Sequence, residues 1–378
     1  MPDPVDLSNL PVVDGHCHPL LGDPWALTPS RFLTFFSEGR PGRMTAHIPH
    51  TGFYHRALRD LAQIFGCPPA VEEVLAHRKA LGAEAARRML ADKQVAALLV
   101  DTGYPPEAMP LPEMRQLLSC SVYEVFRIEA CAEALLSRSL SCREFLKAFR
   151  QELWDAVGRC VALKTIIAYR SGLAIAKWTA AEVEGAYRQA VSRLGAGAAP
   201  RLTEKPLLDT LFAEALEVAR ASSRPLQIHT GFGDPDIDLL QANPLLLRPL
   251  FEDPQWANLR IVLLHMAYPY SREAAFMAAV WPQAYVDLSL APPFLGPGSI
   301  PPLIELLSLA PASKLLYGSD LGGLPEFFAL SADWMRAWLG EALGWIAQRG
   351  GLSAEEAYRI GRQVLSENAV ALYGLPPC

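Results

Sequence analysis

Short apolar runs alternate along the chain with longer amphipathic stretches. Eight of these runs have the length and apolar character of buried parallel strands. They are residues 10–18, 94–103, 121–130, 159–169, 224–231, 259–267, 283–291 and 313–320. Between most of them, apolar residues recur at helical spacing, as in segment 203–222. Eight strands that alternate with helices predict an α/β fold, the (β/α)8 TIM barrel.

The spacing between the first two runs is much longer than the others. Segment 19–93 contains two helix-like stretches, residues 53–65 and 70–90. An insertion that follows a strand lies over the mouth of a barrel, so this segment is predicted to be a helical insertion or lid. Segment 193–206 is expected to be a loop. Barrels with insertions routinely reach this length, so residues 1–378 are expected to form a single domain.

Composition and charge exclude several classes of protein. The formal net charge of -6 argues against nucleic acid as a partner, because phosphate recognition needs a clustered excess of Lys and Arg. No run approaches the roughly 18 uncharged apolar residues of a membrane span, and no signal-peptide pattern opens the sequence. A cytoplasmic location without a membrane partner is therefore predicted. The odd count of 7 cysteines without a CxxC pair predicts reduced core thiols. A homodimer is an ordinary expectation.

Six residues that are able to bind a metal fall at or near the ends of the apolar runs. His16 and His18 stand two apart in the first run, and the strand period of two puts both imidazoles on one face. An HxH pair alone is weak support for a metal site. The other residues of this kind are Lys164, His229, His265 and Asp320. Barrel chemistry is collected where strands end, so convergence from several strands predicts a metal centre.

In these segments the chain resembles the amidohydrolase superfamily. The matching segments are VVDGHCH, ALKTIIAYRSGL, QIHTGFGDPDIDL, VLLHMAYPYSREA, YVDLSLA, LLYGSDLGGLPE and ENAVALYGL. The sequence is most similar to the amidohydrolase-related branch that includes the hydrolase-like N-terminal half of FluG-type glutamine-synthetase fusions. Reactions in this group are diverse, so the resemblance implies a type of chemistry and not a particular substrate.

The resemblance implies a role for each ligand. His16 and His18 would bind the more buried metal, and His229 would be a further ligand. Asp320 would be both a ligand and the base that transfers the proton.

Two patterns within the superfamily differ at the remaining positions. In binuclear members the lysine of strand 4, here Lys164, is carboxylated and bridges two metals. The histidines of strands 5 and 6 then hold the second ion. In mononuclear members the histidine of strand 6, here His265, polarises the substrate. If Lys164 stays an ammonium, it would instead bind a substrate carboxylate together with Arg170.

Several other polar residues are candidates for contacting the substrate. Those assigned to substrate binding are Tyr169, Arg170, His50 and Arg56. His50 and Arg56 belong to a dense polar cluster in the insertion. This cluster either reaches into the site from the lid or is the solvated start of a helix. Weaker candidates after strand ends are Thr230, Asp234 and Asp236. Arg127 and Glu129 alternate with Phe126 and Ile128 in the third run. They are expected either to face the barrel interior or to form a buried ion pair without a catalytic role. Trp334, Trp338 and Trp345 are expected to pack.

The expected function is that of a metal-dependent hydrolase that cleaves an amide-type C–N bond in a small carboxylate-bearing substrate. A divalent ion lowers the pKa of its bound water to about 7, which makes hydroxide available at neutral pH. Asp320 would pass the proton to the leaving amine, and His265, if not a ligand, would stabilise the oxyanion. Zinc is the expected metal, as one or two ions, and manganese or iron would also suit these ligands. No GxGxxG or GxxxxGK[ST] sequence indicates an organic cofactor.

Three alternatives remain open. One is a metal-dependent non-oxidative decarboxylase, which a single ion and an unmodified Lys164 would favour. Another is a sugar-acid isomerase, suggested by the size of the insertion. The third is a catalytically idle relative that binds a small metabolite.

Overall fold

A computed structural model describes residues 3–40, 42–105, 107–195 and 200–378. These residues contain eight strands: β1 Val12–Cys17, β2 Val95–Asp101, β3 Ser121–Arg127, β4 Ala162–Thr165, β5 Leu226–Ile228, β6 Ile261–Leu263, β7 Ala284–Asp287 and β8 Leu315–Leu316. The strand order in the sheet follows the chain from β1 to β8. Every strand pair with a described register is parallel. The predicted (β/α)8 barrel fold is therefore confirmed.

Helices lie between the strands. The α-helices of the described residues are α1 Pro29–Leu33, α2 Gly52–Phe65, α3 Val71–Asp92, α4 Leu111–Leu117, α5 Ile128–Leu136, α6 Cys142–Val157, α7 Ala180–Gly195, α8 Lys205–Ser222, α9 Arg248–Glu252, α10 Ser271–Val280, α11 Ala291–Leu295, α12 Ile300–Leu309, α13 Pro325–Gln348, α14 Ala354–Arg362 and α15 Asn368–Tyr373. Among the shorter 3₁₀ turns, Ile167–Tyr169 and His265–Ala267 follow β4 and β6 after a single residue.

Each predicted apolar run contains a strand, but the strands are shorter than the runs. β8 has only 2 residues and β6 only 3, because the chain turns as soon as it leaves the sheet. The third run is partly wrong: β3 ends at Arg127 and α5 begins at Ile128, so Glu129 lies in the first turn of a helix. The loop predicted at 193–206 is shortened by α7 and α8, and its residues 196–199 lie outside the described residues.

The chain divides into two compact units. The first contains the described residues up to Tyr123, residues 233–235 and residues 287–378. In this unit β1 pairs with β2, and Gly15 N–H donates to the Tyr317 carbonyl just beyond β8 at 2.9 Å. The second contains residues 124–232 and 236–286, where β4, β5 and β6 pair in register. The assignment of the whole chain to a single domain stays a prediction.

The insertion between β1 and β2 carries α1, α2 and α3. Helix α2 begins after Thr51, whose side chain accepts a hydrogen bond from Tyr54 N–H, and ends at Gly66 with φ 68°. Its role as a lid stays a prediction. Within the same unit, Trp334 and Trp338 of α13 are buried and stack with ring centroids 6.0 Å apart, as expected of packing residues.

The cysteines, all within the described residues, are free thiols. Cys17, Cys142 and Cys160 are buried, whereas Cys378 is exposed, so the prediction of core thiols holds for only part of the set. Across the described part of the chain, no helix combines the length and apolar character needed to cross a bilayer.

Candidate active site

The first unit brings together three of the predicted ligands. His16 and His18 lie at the exit end of β1, and Asp320 follows β8. Asp320 Oδ1 lies 3.0 Å from His16 Nε2 and 3.2 Å from His18 Nε2. The two imidazoles therefore face the same carboxylate, as the spacing of two in a strand predicts.

The donor atoms of this cluster fit a metal ion. Nitrogen and oxygen ligands bind zinc at about 2.0–2.2 Å, so neighbouring ligand atoms of one ion lie about 3 Å apart. The distances from Asp320 to the two histidines are of this size. Asp101, at the end of β2, forms a further group with His16 and His18 whose ligand atoms lie within 4.8 Å of one another. Asp101 was not predicted from the sequence, although it ends β2 as the other predicted ligands lie at or near the ends of theirs.

The backbone at Asp320 is held in a conformation that non-glycine residues rarely adopt. Its φ is 59°, in the left-handed region, which costs of order 1–3 kcal/mol. Asp320 N–H donates to the His16 carbonyl at 2.8 Å, and Ser319 N–H donates to Asp14 Oδ1 at 2.9 Å. These bonds fix the Asp320 carboxylate beside the end of β1.

Asp14 is a buried carboxyl group beside the cluster that was not predicted from the sequence. Burial raises its pKa to about 8, hydrogen bonds from Ser319 oppose that shift, and the Asp287 carboxylate adds to it. Burial therefore favours the neutral form of this carboxyl group. A neutral carboxyl at this position ties β1 to the Ser319 backbone without placing another full charge in the core.

The insertion contributes another acidic residue, which was not predicted from the sequence. Glu38 has its pKa raised to about 8, first by burial and then by the carboxylates of Asp234 and Asp320. Asp234, a weaker candidate in the sequence, is therefore part of this acidic group. Asp236, the other acidic residue of that segment, belongs to the second unit and pairs with Arg201 at 3.0 Å.

The second unit brings together His229 and His265. The His265 Nε2 and His229 Nδ1 atoms lie 2.9 Å apart, and both residues are buried. Two imidazole nitrogens at this separation either share one proton or turn their lone pairs toward a common ion. The Tyr169 ring lies 4.3 Å from the His229 ring, centroid to centroid, so this predicted substrate residue contacts a predicted ligand.

The chain turns sharply after both of these histidines. His265, Met266 and Ala267 have φ of 68°, 54° and 48°, three successive left-handed residues without a glycine. After β5, Gly231 has φ 75°, and a Cβ there would collide with the Tyr268 carbonyl. The Thr230 hydroxyl donates to the Leu264 carbonyl at 2.6 Å, which joins the ends of β5 and β6.

Lys164 is 2% exposed and lies on β4, which is paired with β3 on one side and β5 on the other. It pairs in register with Arg127 of β3 and with Gln227 of β5. Paired residues of neighbouring strands point to the same face, so the Lys164 amine and the Arg127 guanidinium share one side of the sheet. Carboxylation of Lys164 stays a prediction.

The two predicted substrate-binding arginines both have protein partners. Arg170 Nη2 lies 3.3 Å from Glu133 Oε1, and burial lowers the pKa of Arg170. Arg56 donates to the Pro293 carbonyl, and its guanidinium carbon lies 4.7 Å from the Trp334 ring centroid. His50 is exposed at the end of a 3₁₀ turn that precedes α2. Substrate contact by these residues stays a prediction.

A profile of the family described as Amidohydrolase matches residues 146–375, more than half of the chain. The chain belongs to the amidohydrolase family. Protein fluG of Emericella nidulans is 30% identical over 403 residues, an alignment that covers 97% of this chain. The chain spans only 46% of that relative, so it corresponds to less than half of its length. The predicted family resemblance is confirmed, and membership in a family of hydrolases supports an enzyme.

Solved structures extend the comparison to the fold. A candidate metal-dependent hydrolase from Lactobacillus casei ATCC 334 is 26% identical, with a TM-score of 0.89 over 99% of this chain and 98% of its own. Uronate isomerase from Thermotoga maritima is 15% identical, with a TM-score of 0.68 over 97% of this chain and 95% of its own. At that identity the second likeness shows a shared fold alone.

Proposed function

We propose that this amidohydrolase-family protein is a metal-dependent hydrolase that cleaves an amide-type C–N bond in a small, carboxylate-bearing substrate. The observation that carries the proposal is the convergence of His16 Nε2 and His18 Nε2 on one oxygen of Asp320. A carboxylate between two imidazoles at strand ends combines metal-binding nitrogen donors with a proton acceptor.

The proposed ligand set consists of the cluster in the first unit and further residues that the family resemblance implies. His16, His18 and Asp320 would hold the first ion. His229, His265 and Lys164 would complete the set, either as ligands of a second ion or with Lys164 as a substrate-binding ammonium. Zinc is the proposed metal, because imidazole and carboxylate donors suit it, although manganese and iron accept the same donors.

The protein residues have separate tasks in the proposed reaction. A bound divalent ion would supply a water that is activated for attack on a carbonyl at neutral pH. Asp320, oriented by its two imidazole neighbours, would accept a proton and return it to the leaving amine. His265, when it is not a ligand, would donate a hydrogen bond to the carbonyl oxygen as negative charge develops there. Arg170 would hold the substrate carboxylate.

Isomerisation of a sugar acid is the second candidate function. Uronate isomerases have the same fold, as the Thermotoga maritima enzyme shows, and this chain has a long helical insertion after β1. Both reactions would use the same donor groups. Incubation with uronates, followed by NMR, would reveal a new ketose or aldose if the isomerase is correct. Release of an amine from a carboxylate-bearing amide would identify the hydrolase.

Metal analysis tests the centre itself. Elemental mass spectrometry of purified protein should find one or two zinc, manganese or iron ions per chain, and His16→Ala should lose most of the metal and activity with the fold intact. His77→Ala is the matched control, since His77 lies on the exposed side of α3 and its Nδ1 is bonded to the Glu73 carbonyl one turn earlier. Full metal content and activity in His16→Ala would show that the site is elsewhere. Electron density at the Lys164 amine would show whether it is carboxylated.

A further inference from the structure

Glu129 is a buried carboxylate with only one of its oxygens engaged. It is 3% exposed in the first turn of α5. Its Oε1 accepts hydrogen bonds from the Thr165 hydroxyl and, at 3.0 Å, from Ile166 N–H. Oε2 is buried, and no described residue forms a hydrogen bond with it. A buried polar atom without a partner costs about 1–3 kcal/mol of stability, so the lack of a partner for this oxygen calls for an explanation.

Arg170 shows the complementary feature. Its side chain is 10% exposed, and its Nη2 pairs with Glu133 Oε1 at 3.3 Å. The Nε–H edge of the same guanidinium is buried and has no hydrogen-bond partner among the described residues. The Nε–H of Arg170 can therefore donate to a ligand, while its Nη2 already pairs with Glu133.

A chain of hydrogen bonds within the second unit connects Glu129 to the turn that contains Arg170. Glu129 binds the backbone directly after β4, and the Thr165 hydroxyl in turn accepts a hydrogen bond from Ile167 N–H at 3.0 Å. Arg170 closes the turn that follows, because its N–H donates to the Ile167 carbonyl at 2.9 Å. Burial lowers the pKa of Arg170 while Glu133 and then Glu129 raise it, so both carboxylates lie within electrostatic reach.

We infer that Glu129 and Arg170 form a recognition site for an α-amino acid group. This inference rests on the proposed function and specifies its substrate as an amide that carries an ammonium and a carboxylate at the end away from the scissile bond. Glu129 Oε2 would accept from the ammonium, and the Nε edge of Arg170 would donate to the carboxylate. A simple carboxylate would satisfy only Arg170, and a simple amine only Glu129.

Burial raises the pKa of Glu129, whereas the Thr165 hydroxyl, the Ile166 N–H and the Arg127 guanidinium each oppose that shift. An ammonium bound at Oε2 would add a positive charge that favours the carboxylate form. In the same unit Arg170 is paired with Glu133 and Arg201 with Asp236. A ligand without net charge adds no net charge to these paired residues, whereas a bare carboxylate or a bare amine does.

Binding of matched small amides tests the inference. Isothermal titration calorimetry on the full-length, metal-loaded protein would compare L-asparagine and L-glutamine with succinamate and glutaramate, which lack the ammonium. The amines 3-aminopropanamide and 4-aminobutanamide lack the carboxylate. At least one zwitterion should bind about tenfold or more tightly than both of its analogues, because each missing group leaves a buried partner unsatisfied.

Variants assign the preference to the two residues. Glu129→Gln should bring the zwitterion and its deamino analogue within about threefold of each other, and Arg170→Gln should do the same for the decarboxy analogue. The matched controls are Glu124→Gln and Arg159→Gln, a pair at 3.1 Å in the same unit, which should keep the wild-type preference. Circular dichroism would verify folding, and the wild-type comparison stands even if a variant does not fold.

The inference is overturned if no zwitterion binds more tightly than its analogues, or if folded Glu129→Gln keeps the full preference for the ammonium. Failure of the proposed function has a different signature, namely absence of bound metal and of amide hydrolysis on any carboxylate-bearing amide. Hydrolysis of substrates without an amine, combined with no zwitterion preference, would keep the hydrolase and remove only the amino acid site.

Discussion

Arg56 offers the sharpest test of an assignment made from sequence. It is predicted to contact the substrate, but in the structure its guanidinium carbon lies 4.7 Å from the Trp334 ring centroid and 5.2 Å from that of Trp338. It also lies 5.8 Å from the Phe53 ring and donates to the Pro293 carbonyl. These contacts join α2 of the insertion to α13 and α11, so Arg56→Ala should weaken folding more than substrate binding.

The size of the effect follows from these contacts. A cation over an aromatic face contributes about 0.5–2 kcal/mol, and a hydrogen bond from a charged donor about 1.5–3 kcal/mol. The contributions are not additive, and burial of the guanidinium, which lowers the pKa of Arg56 to about 10, offsets part of them. We therefore expect Arg56→Ala to lose about 2–3 kcal/mol of unfolding free energy, including the lost packing of its stem.

Urea denaturation followed by circular dichroism would measure this loss. Arg59→Ala is the matched control, because Arg59 lies on the same helix with a side chain 67% exposed and pairs with the adjacent Asp60. It should change the unfolding free energy by less than about 0.5 kcal/mol. Equal stability of the two variants, together with a large rise in KM for Arg56→Ala alone, would refute the packing role and restore Arg56 to the substrate site.

Three further predictions concern other groups. Asp320→Asn should retain much of the metal, measured by elemental mass spectrometry, yet lose at least about a hundredfold in kcat, and a near-normal rate would remove Asp320 from proton transfer. Burial raises the pKa of Glu129 above its ordinary 4.5 in the folded protein. The stability that protonated Glu129 contributes at low pH is therefore lost as the pH rises through the folded-state pKa. Denaturation of ligand-free protein from about pH 4 to 8 should therefore show Glu129→Gln gaining stability relative to wild type, and a constant difference would contradict this. Glu326→Gln should cost about 3–5 kcal/mol because it leaves the buried Arg78, 2.7 Å away, without its counter-charge, whereas the exposed Glu84→Gln should cost less than about 1 kcal/mol.

The strands were predictable because their signal is local. A parallel strand covered by helices on one side and barrel residues on the other is apolar throughout, so β5 and β6 stand out in the sequence despite having 3 residues each. Histidines placed at the ends of such runs then indicate a shared site, since the ends of parallel strands lie at one rim. Boundaries were less predictable. Glu129 was misplaced because the alternation of Phe126 and Ile128 with Arg127 and Glu129 continues the strand pattern past the end of β3.

The partners of polar residues were not predictable because they are distant in sequence. Nothing local to Arg56 indicates that Trp334 and Trp338 of α13 will enclose it. Arg170 pairs with Glu133 of α5, although α6 and β4 lie between them in the sequence. The sequence therefore identifies residues able to do chemistry, while the fold decides which of them already have a partner. This difference separates His16 and His18, which face a carboxylate at a strand end, from Arg56, which is held by aromatic rings.

Backbone conformation adds an independent reason to place function at the strand exits. His265 and Asp320 both have positive φ, at 68° and 59°, where glycine would be free of strain. Glycine does occupy such a position after β5, at Gly231, where a side chain would collide with the backbone. Neither His265 nor Asp320 gains stability from its left-handed backbone, and each costs of order 1–3 kcal/mol. An imidazole and a carboxylate held there against that cost, each facing another predicted ligand within its own unit, support the proposal that the chemistry requires those side chains.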